Sequence, residues 1–569
     1  MVSSEGFELD LRDAIAAVID AYRYMDIPVE RYAMFVLAPA VTFLLGSLTA
    51  LILFPLPLLV SLPLVALAGL LSITAVAYPK VVQDRKRKEI RERFHLFLTH
   101  ITVLSLTNID RVEIFRTLAN VEEYGALAEE MGRIVALVDT WNQSLDDACR
   151  MRSKRVPSDL LSDFLERLAY TVGAGQALDE FLVDEQESII LGFVIRYESD
   201  LAKLDVLQEM YLSLMLSTTF ILVFSTVLPL LLGVPPTLLV GGVVAMFAVV
   251  QAGFLFVIHT IAPWDPLWLI GPRSPAKKMQ VPLVVGVAGV GVVAAGVLAV
   301  GFGLTPFAPD AIPRPLYVAI PLTPLLYPAL VIRREERRVK SRDEAFPSFI
   351  RALGGVESVK QTSTANVLAS LRKKDFGSLT ANVDGLYKRL NTRIDQAESW
   401  RLFAAETGSY LIQKFGEMYV VGRRMGGDPK QLGQVISTNL SQVLRVREQR
   451  AQATATFTGV IYGITAASIF SSFIGLEIAG QMLEITQTLG EGNSELMTML
   501  FSPGLYDIEL IEALLLVVVL VNAMLSSLMI RLTDRGHTTN AYLHFVLLAW
   551  IGALVAVLTQ WVVGGVIQL

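Results

Sequence analysis

The residues best spaced for chemistry lie at positions 422–430, where Arg423, Arg424 and the pair Gly426-Gly427 make the nearest approach to a basic, glycine-rich phosphate loop. Such a loop turns backbone N–H groups toward the anion and ends in a lysine followed by Ser or Thr. Here Asp428 and Pro429 stand where those donors should be, and no GxxxxGK[ST] occurs in the chain. His95 and His100 are five apart, which places them off a common helix face, so a structural role is expected in place of metal binding. HExxH, CxxC and calcium-loop patterns are absent. The single Cys149 can form no intrachain disulfide and reads as a small buried apolar residue. With no clustered acid, base or ligand set, the expectation is a protein with no cofactor, no metal and no enzymatic activity of its own.

What these residues are mounted on is an array of long apolar stretches. Of 569 residues 53% are hydrophobic, with a mean hydropathy of +0.53, while 18% are charged, and the charges gather between the stretches. A membrane-spanning helix takes about 20 mostly apolar residues. Stretches of this kind cover 33–54 and 56–78, 211–232 and 237–261, 281–302 and 316–332, then 454–476, 510–530 and 542–563, about nine spans in all. Pro55 and Pro57 turn the first pair, and Gly233 to Pro236 join the second. The expected fold class is all-α: a polytopic helical membrane protein with two helical-bundle domains in tandem, duplicated units.

The expected organisation runs as follows: an amphipathic helix in 1–32, a first transmembrane pair in 33–78, a first helical domain in 79–210 and a second pair in 211–262. A basic loop at 263–280 leads to a third pair in 281–332 and a second helical domain in 333–453. Three transmembrane helices, with an acidic loop at 477–509, complete 454–569. In the first segment, Glu5, Glu8, Asp10 and Asp13 crowd the place where a cleavable leader would be basic and then apolar.

Sidedness follows from lysine and arginine, which are in excess on cytoplasmic flanks. Arg85, Lys86, Arg87 and Lys88 follow the second span, and Arg333, Arg334, Arg337 and Arg338 follow the sixth. Arg273, Lys277 and Lys278 follow the fourth, and Arg531 and Arg535 the eighth, all on one side of a nine-span chain. The opposite loops hold Arg314 and the acidic Glu484, Glu491, Glu495 and Asp507. Both large domains and the N-terminus are therefore expected in the cytoplasm and the C-terminus outside. A net charge of -6 and a pI of 5.6 argue against nucleic acid as a partner, which calls for a basic domain.

Within the first domain Phe94, Leu98, Ile101 and Leu104 form one helical stripe, Leu127, Met131, Ile134, Val135 and Val138 a second, and Leu160, Leu161, Phe164, Leu168 and Val172 a third, ended by Gly173 and Gly175. The second domain repeats the style with Leu386, Leu390 and Ile394, then Leu411, Phe415 and Met418. Phe94 and Phe97 match Phe346 and Phe349, Gly125 matches Gly377, and Gly175 matches Gly427, each 252 residues apart. Ionisable residues, which mark transport paths when kept inside spans, are confined here to span ends such as Glu477, Glu509, Glu512 and His259. Asn522 and Gln251 are expected to pack helices, and Gly286, Gly289, Gly291 and Gly296 permit close helix contact.

Two helical domains, each followed by a span pair, resemble the platform proteins of type IV filament machines, which share the type II secretion F domain. The likeness is carried by Asp110-Arg111-Val112-Glu113-Ile114-Phe115, Leu137-Val138-Asp139-Thr140-Trp141 and Asp163-Phe164-Leu165-Glu166-Arg167-Leu168-Ala169-Tyr170, continuing to Leu182 and Glu185-Gln186-Glu187. Two full units and an acidic external loop look most like the archaellum-assembly members. The resemblance implies an anchor in the cell membrane that binds a hexameric secretion-type ATPase and couples its strokes to filament assembly and rotation. Implied partners are archaellin or pilin subunits, other motor-complex proteins, membrane lipids and a second copy in a homodimer. Candidates to meet acidic motor surfaces are Arg85, Lys86, Arg87, Lys88, Arg333, Arg334, Arg337, Arg338, Arg423, Arg424 and Lys430. The alternative for the juxtamembrane charges is that they set topology and touch lipid headgroups. An adhesive pilus or secretion-like system is the alternative machine, and a polytopic transporter the alternative class.

Overall fold

The computed structural model describes residues 29–53, 58–232, 235–271, 280–304, 306, 312–360, 363–490 and 507–567. The expected N-terminal amphipathic helix, the turn at Pro55 and Pro57, and Arg273, Lys277 and Lys278 lie outside these residues. Among the described residues the secondary structure is helical, apart from one isolated antiparallel bridge between Trp268 and Ser409. The chain forms two compact units, residues 1–189 with 425–427 and residues 190–424 with 428–569.

In the first unit a helical turn (Val29–Tyr32) and a π segment (Ala33–Leu37) lead into α1 (Ala38–Leu53). Then α2 (Leu58–Ser105) runs without a break from apolar into charged sequence, through Pro79, where the sequence suggested a boundary. The polar part continues through α3 (Arg111–Ala119), a 3-10 turn (Glu122–Tyr124), α4 (Ala126–Trp141), α5 (Leu145–Ser153) and α6 (Asp159–Gly173). Asp110 caps α3 by accepting the Val112 N–H, and Ser144 caps α5 by accepting that of Asp147. The expected stripes face inward: Phe94 meets Phe164 edge-on at 5.5 Å and Phe97 meets Tyr124 at 5.9 Å. Each such buried ring contributes about 2–3 kcal/mol of burial free energy. His100 belongs to this core, its Nδ1 3.0 Å from the Tyr124 hydroxyl.

α7 (Leu178–Leu232) again joins charged to apolar sequence and supplies its apolar part to the second unit. There follow α8 (Pro236–Ile261) and α9 (Gln280–Gly301), then a helical turn (Leu316–Ala319) and a 3-10 stretch (Ile320–Leu325) that opens into α10 (Leu326–Lys360). Pro321 and Pro324 lack the N–H that an α ladder requires there. Their compensation is close packing on α9: a Cβ on Gly286 would lie 2.7 Å from Pro328 Cγ, and one on Gly289 2.8 Å from Pro324 Cβ. Gly291 and Gly296, expected to serve the same purpose, have no described residue within 4 Å of such a Cβ.

α11 (Thr364–Leu371), a 3-10 turn (Gly377–Leu379), α12 (Thr380–Asn391), α13 (Gln396–Thr407) and α14 (Tyr410–Arg424) form the second polar segment. Its order of elements repeats that of the first. Phe346 and Phe349 lie 5.9 Å apart on α10, as Phe94 and Phe97 lie 5.8 Å apart on α2. Gly125 and Gly377 have φ of 52° and 58°. The left-handed counterpart of Gly175 (φ 79°) is Gly426 (φ 87°), not Gly427, because the spacing has shortened by one residue by the end of the segment.

The segment closes with α15 (Pro429–Gly490), 62 residues long, which carries the expected loop at 477–509 onward as helix to Gly490. α16 (Ile508–Asp534) and α17 (Ala541–Ile567) complete the chain. α15 and α10 cross at touching distance: a Cβ on Gly354 would overlap the Pro429 carbonyl oxygen, and one on Gly433 would lie 2.9 Å from that of Ile350. Among the described residues seven helical segments are long and apolar enough to cross a membrane, and they carry the third to ninth expected spans. In the first pair the shorter apolar helix 33–47 is found among the described residues.

Candidate functional site

The basic residues expected to meet a partner divide into paired and open ones. On α2 Arg85 is exposed and Arg87 pairs with Asp159, while Lys86 stands 3.8 Å from Glu129 and Lys88 3.7 Å from Glu92. On α10 Arg334 and Arg337 are exposed, Arg338 pairs with Glu335, and Arg333 is half-buried. On α14 Arg423 turns inward: its side chain is 26% exposed, and its Nε and Nη2 donate to Glu357 Oε1 at 3.2 and 3.1 Å. Glu357 is buried and also accepts from Tyr419 at 2.7 Å and Thr364 at 3.0 Å. Arg423 thus compensates a buried acid, and the exposed Arg424 and Lys430 are the charges this segment offers outward. Asp428 accepts the N–H groups of Lys430 and Gln431 at 3.4 Å, so the N–H groups at the start of α15 are turned to a capping carboxylate.

A more elaborate polar site stands where α15 passes from charged to apolar sequence. Arg447 donates Nε and Nη2 to the two oxygens of Asp265 at 2.8 and 2.6 Å, Nη1 to Asp343 at 2.9 Å, and Nη2 to the Pro266 carbonyl at 2.9 Å. One turn on, Arg450 reaches the Thr533 carbonyl at 2.7 Å, the Tyr197 hydroxyl at 3.0 Å and the Pro263 carbonyl at 3.2 Å. Arg535 reaches the Ala262 carbonyl at 2.7 Å. The segment after α8 is held from the other side as well: the Leu269 N–H donates to Gly408 O at 2.9 Å and the Tyr410 N–H to Leu267 O at 3.1 Å. The expected loop at 263–280 therefore begins as an ordered clasp: α7, α10 and α16 are tied directly to α15, and the segment after α8 is bonded both to α15 and to α14.

The cluster sets two carboxylates against one guanidinium. Burial pushes Asp343, only 1% exposed, up to about 6, against the pull of Arg447 and the hydrogen bond from Ser409. Burial would lower Arg447, but Asp265 and then Asp343 hold it firmly charged. Both groups lie outside the apolar stretches. Sequence reading missed this site because its partners are 104 and 182 residues apart. Two signals were available: arginines three apart on the helix face that buries Val443 and Val446, and Asp265 enclosed by Pro263 and Pro266. Arginine with its planar fork is the residue type that can hold two carboxylates together.

Deeper among the apolar helices, Gln251 donates to Asn522 Oδ1 at 2.5 Å and Asn522 Nδ2 to Thr465 at 2.9 Å, while the Thr219 and Ser468 hydroxyls are 2.7 Å apart. These bonds join α7, α8, α15 and α16, the packing role expected of such residues. Charged helices continue into apolar ones, and the buried Arg447 and Arg450 bonds tie α7, α10 and α16 to α15.

Residues 97–226 match the type II secretion system protein F family. The chain is 33% identical over 505 residues to flagella accessory protein J of Methanocaldococcus jannaschii, covering 88% of this chain and 89% of that protein. It is 34% identical over 509 residues to flagella accessory protein J of Methanococcus voltae, covering 88% and 90%. No solved structure matches.

Proposed function

The chain belongs to the family of flagella accessory proteins J, and from that premise we propose that it is the membrane platform of an archaellum-type filament machine, anchoring a cytoplasmic secretion-type ATPase. The observation that carries this reading is the similarity across 88% of the chain, long enough to take in both polar segments and the apolar helices between them. The geometry supports a mechanical role: α2, α7, α10 and α15 each run unbroken from charged into apolar sequence. A hydrogen-bonded helix resists compression along its axis, so displacement of a polar segment by the motor reaches the membrane along the same rod. The platform carries out no chemistry; the ATPase supplies the stroke and the filament subunits receive it.

Arg85, Arg334, Arg424 and Lys430 are among the exposed charges available to an acidic motor surface. The test is co-purification of the tagged full chain from its native membrane, with crosslinking, for wild type and for the double variant Arg424→Glu, Lys430→Glu. Arg423 is left intact because its reversal would strip buried Glu357 of its counter-charge. ATPase recovery should fall about tenfold in the double variant, as for loss of a rim charge contact, with unchanged thermal stability. Full recovery with the double variant removes these residues from the contact, and a wild-type preparation that never yields the ATPase overturns the reading.

A further inference from the structure

Beside the Arg447 joint lies a cavity of about 380 Å³, lined from α10 by Arg333, Glu336, Arg337 and Lys340, from α15 by Thr454, and from the α16–α17 junction by Arg531, Asp534 and Asn540. Its two carboxylates are already engaged. Glu336 accepts from the His537 N–H at 2.5 Å, Asn540 at 3.0 Å and Trp268 at 3.4 Å, and Asp534 faces Lys340 at 3.3 Å. Against them stand four cations, three of which, Arg333, Arg337 and Arg531, are in no ion pair among the described residues. Arg531 Nη2 donates to Thr538 at 3.3 Å, while its Nε is buried with no hydrogen-bond partner among the described residues. Among the described residues the hydroxyl of Thr454, itself buried, likewise has no partner, nor has the Asn540 side-chain carbonyl, an acceptor.

Buried donors left unmade are costly, and here they share a cavity with surplus positive charge. The cavity also sits at one level in three helices: Ile332 gives way to Arg333 on α10, Ile530 to Arg531 on α16, and Arg450 to Ala451 on α15. That is the level at which the phosphates of a bilayer lie beside helices that cross it. We propose that this cavity binds one phosphate group, held by the Arg333, Arg337 and Arg531 guanidinium groups and the Thr454 hydroxyl, and presented by an anionic lipid headgroup or free in solution. Guanidinium suits this because its fork matches two phosphate oxygens at once. The site stands whatever the partner of the polar segments, since it needs only that these helices cross a membrane.

The test uses the full-length chain purified in a neutral detergent, with unfolding followed by intrinsic fluorescence while phosphatidylglycerol, phosphatidylcholine or inorganic phosphate is titrated in. Phosphatidylglycerol should raise Tm by about 3 °C at saturation, and phosphatidylcholine, whose choline cation opposes the guanidinium groups, should raise it less. Arg337→Gln, on an exposed side chain, should weaken the phosphatidylglycerol effect about tenfold, as should Thr454→Val, which removes only a hydroxyl. A shift with inorganic phosphate that competes with the lipid and is equally sensitive to both variants supports the site with free phosphate as the source. Shifts that are the same in wild type and both variants, or absent for all three additives, overturn the proposal.

Discussion

Replacing Arg447 by methionine preserves volume and removes the charge. Asp265 and Asp343 then face each other in a site where neither is more than 15% exposed. Removing one partner of a buried ion pair costs about 3–5 kcal/mol, mostly because the remaining charge is left uncompensated. That cost falls on the clasp that follows α8, whose Leu269 and Tyr410 amides are hydrogen-bonded across the joint. Local opening should become easier by a similar amount, which accelerates exchange of those two amides by about a hundredfold or more. Hydrogen exchange read by mass spectrometry on peptides spanning 262–270 and 408–412 measures this directly. The penalty should shrink toward pH 5, where Asp343, pushed up to about 6 by burial, takes up a proton, and adding Asp265→Asn with Asp343→Asn should recover most of it. Arg445, exposed on the same helix, supplies the control, since its methionine variant should change stability by less than about 0.5 kcal/mol. If Arg447→Met opens the clasp no more than Arg445→Met does, the joint is not what holds these helices in register.

Gly354→Leu should destabilise by about 3 kcal/mol or abolish folding, because its side chain must displace the Pro429 carbonyl where α10 and α15 touch; thermal unfolding and yield of folded protein check this. Asp343 ionises near 6 in the folded chain against an ordinary 3.8, so the folded state holds more protons between those values. Its stabilising contribution is therefore fullest below pH 4 and declines by at most about 3 kcal/mol as pH rises to 6; Asp343→Asn should flatten this slope in unfolding curves taken across that range. Burial, and then Asp146, push the Cys149 thiol up to about 12, so maleimide should label it about a thousandfold more slowly in the native protein than in denaturant at the same pH.

Much of the helical architecture was legible because it is written in local periodicity. Leu161, Phe164 and Leu168 recur on one face and are buried, and Gly125 and Gly377 mark left-handed breaks that only the backbone freedom of glycine makes cheap. The boundaries were less legible. A change from apolar to charged residues reads as the end of a span, but nothing in the backbone chemistry at Tyr78 or Ile332 stops a helix, and prolines at 79 and 347 are carried inside α2 and α10. The charged sites divided the same way. Arg424 and Lys430 stand outward as charge alone suggests, whereas Arg423 is drawn in by Glu357, a residue far back on another helix. Asp265, Asp343 and Arg447 are unremarkable singly and acquire meaning only through tertiary proximity, which periodicity does not encode.

The length of α15 imposes a rule on how such a chain can vary. Its 62 residues make a rod of about 93 Å, and Arg447 and Arg450 sit on it at an angular position shared with the apolar face that begins at Thr454. A single inserted residue between them would turn one face against the other by about 100° while adding only about 1.5 Å. An insertion of seven residues comes back within about 20° of the starting angle. Changes of length at this junction are therefore admissible in near-whole turns and excluded between them, so the azimuth of the charged segment about its own rod is a discrete quantity.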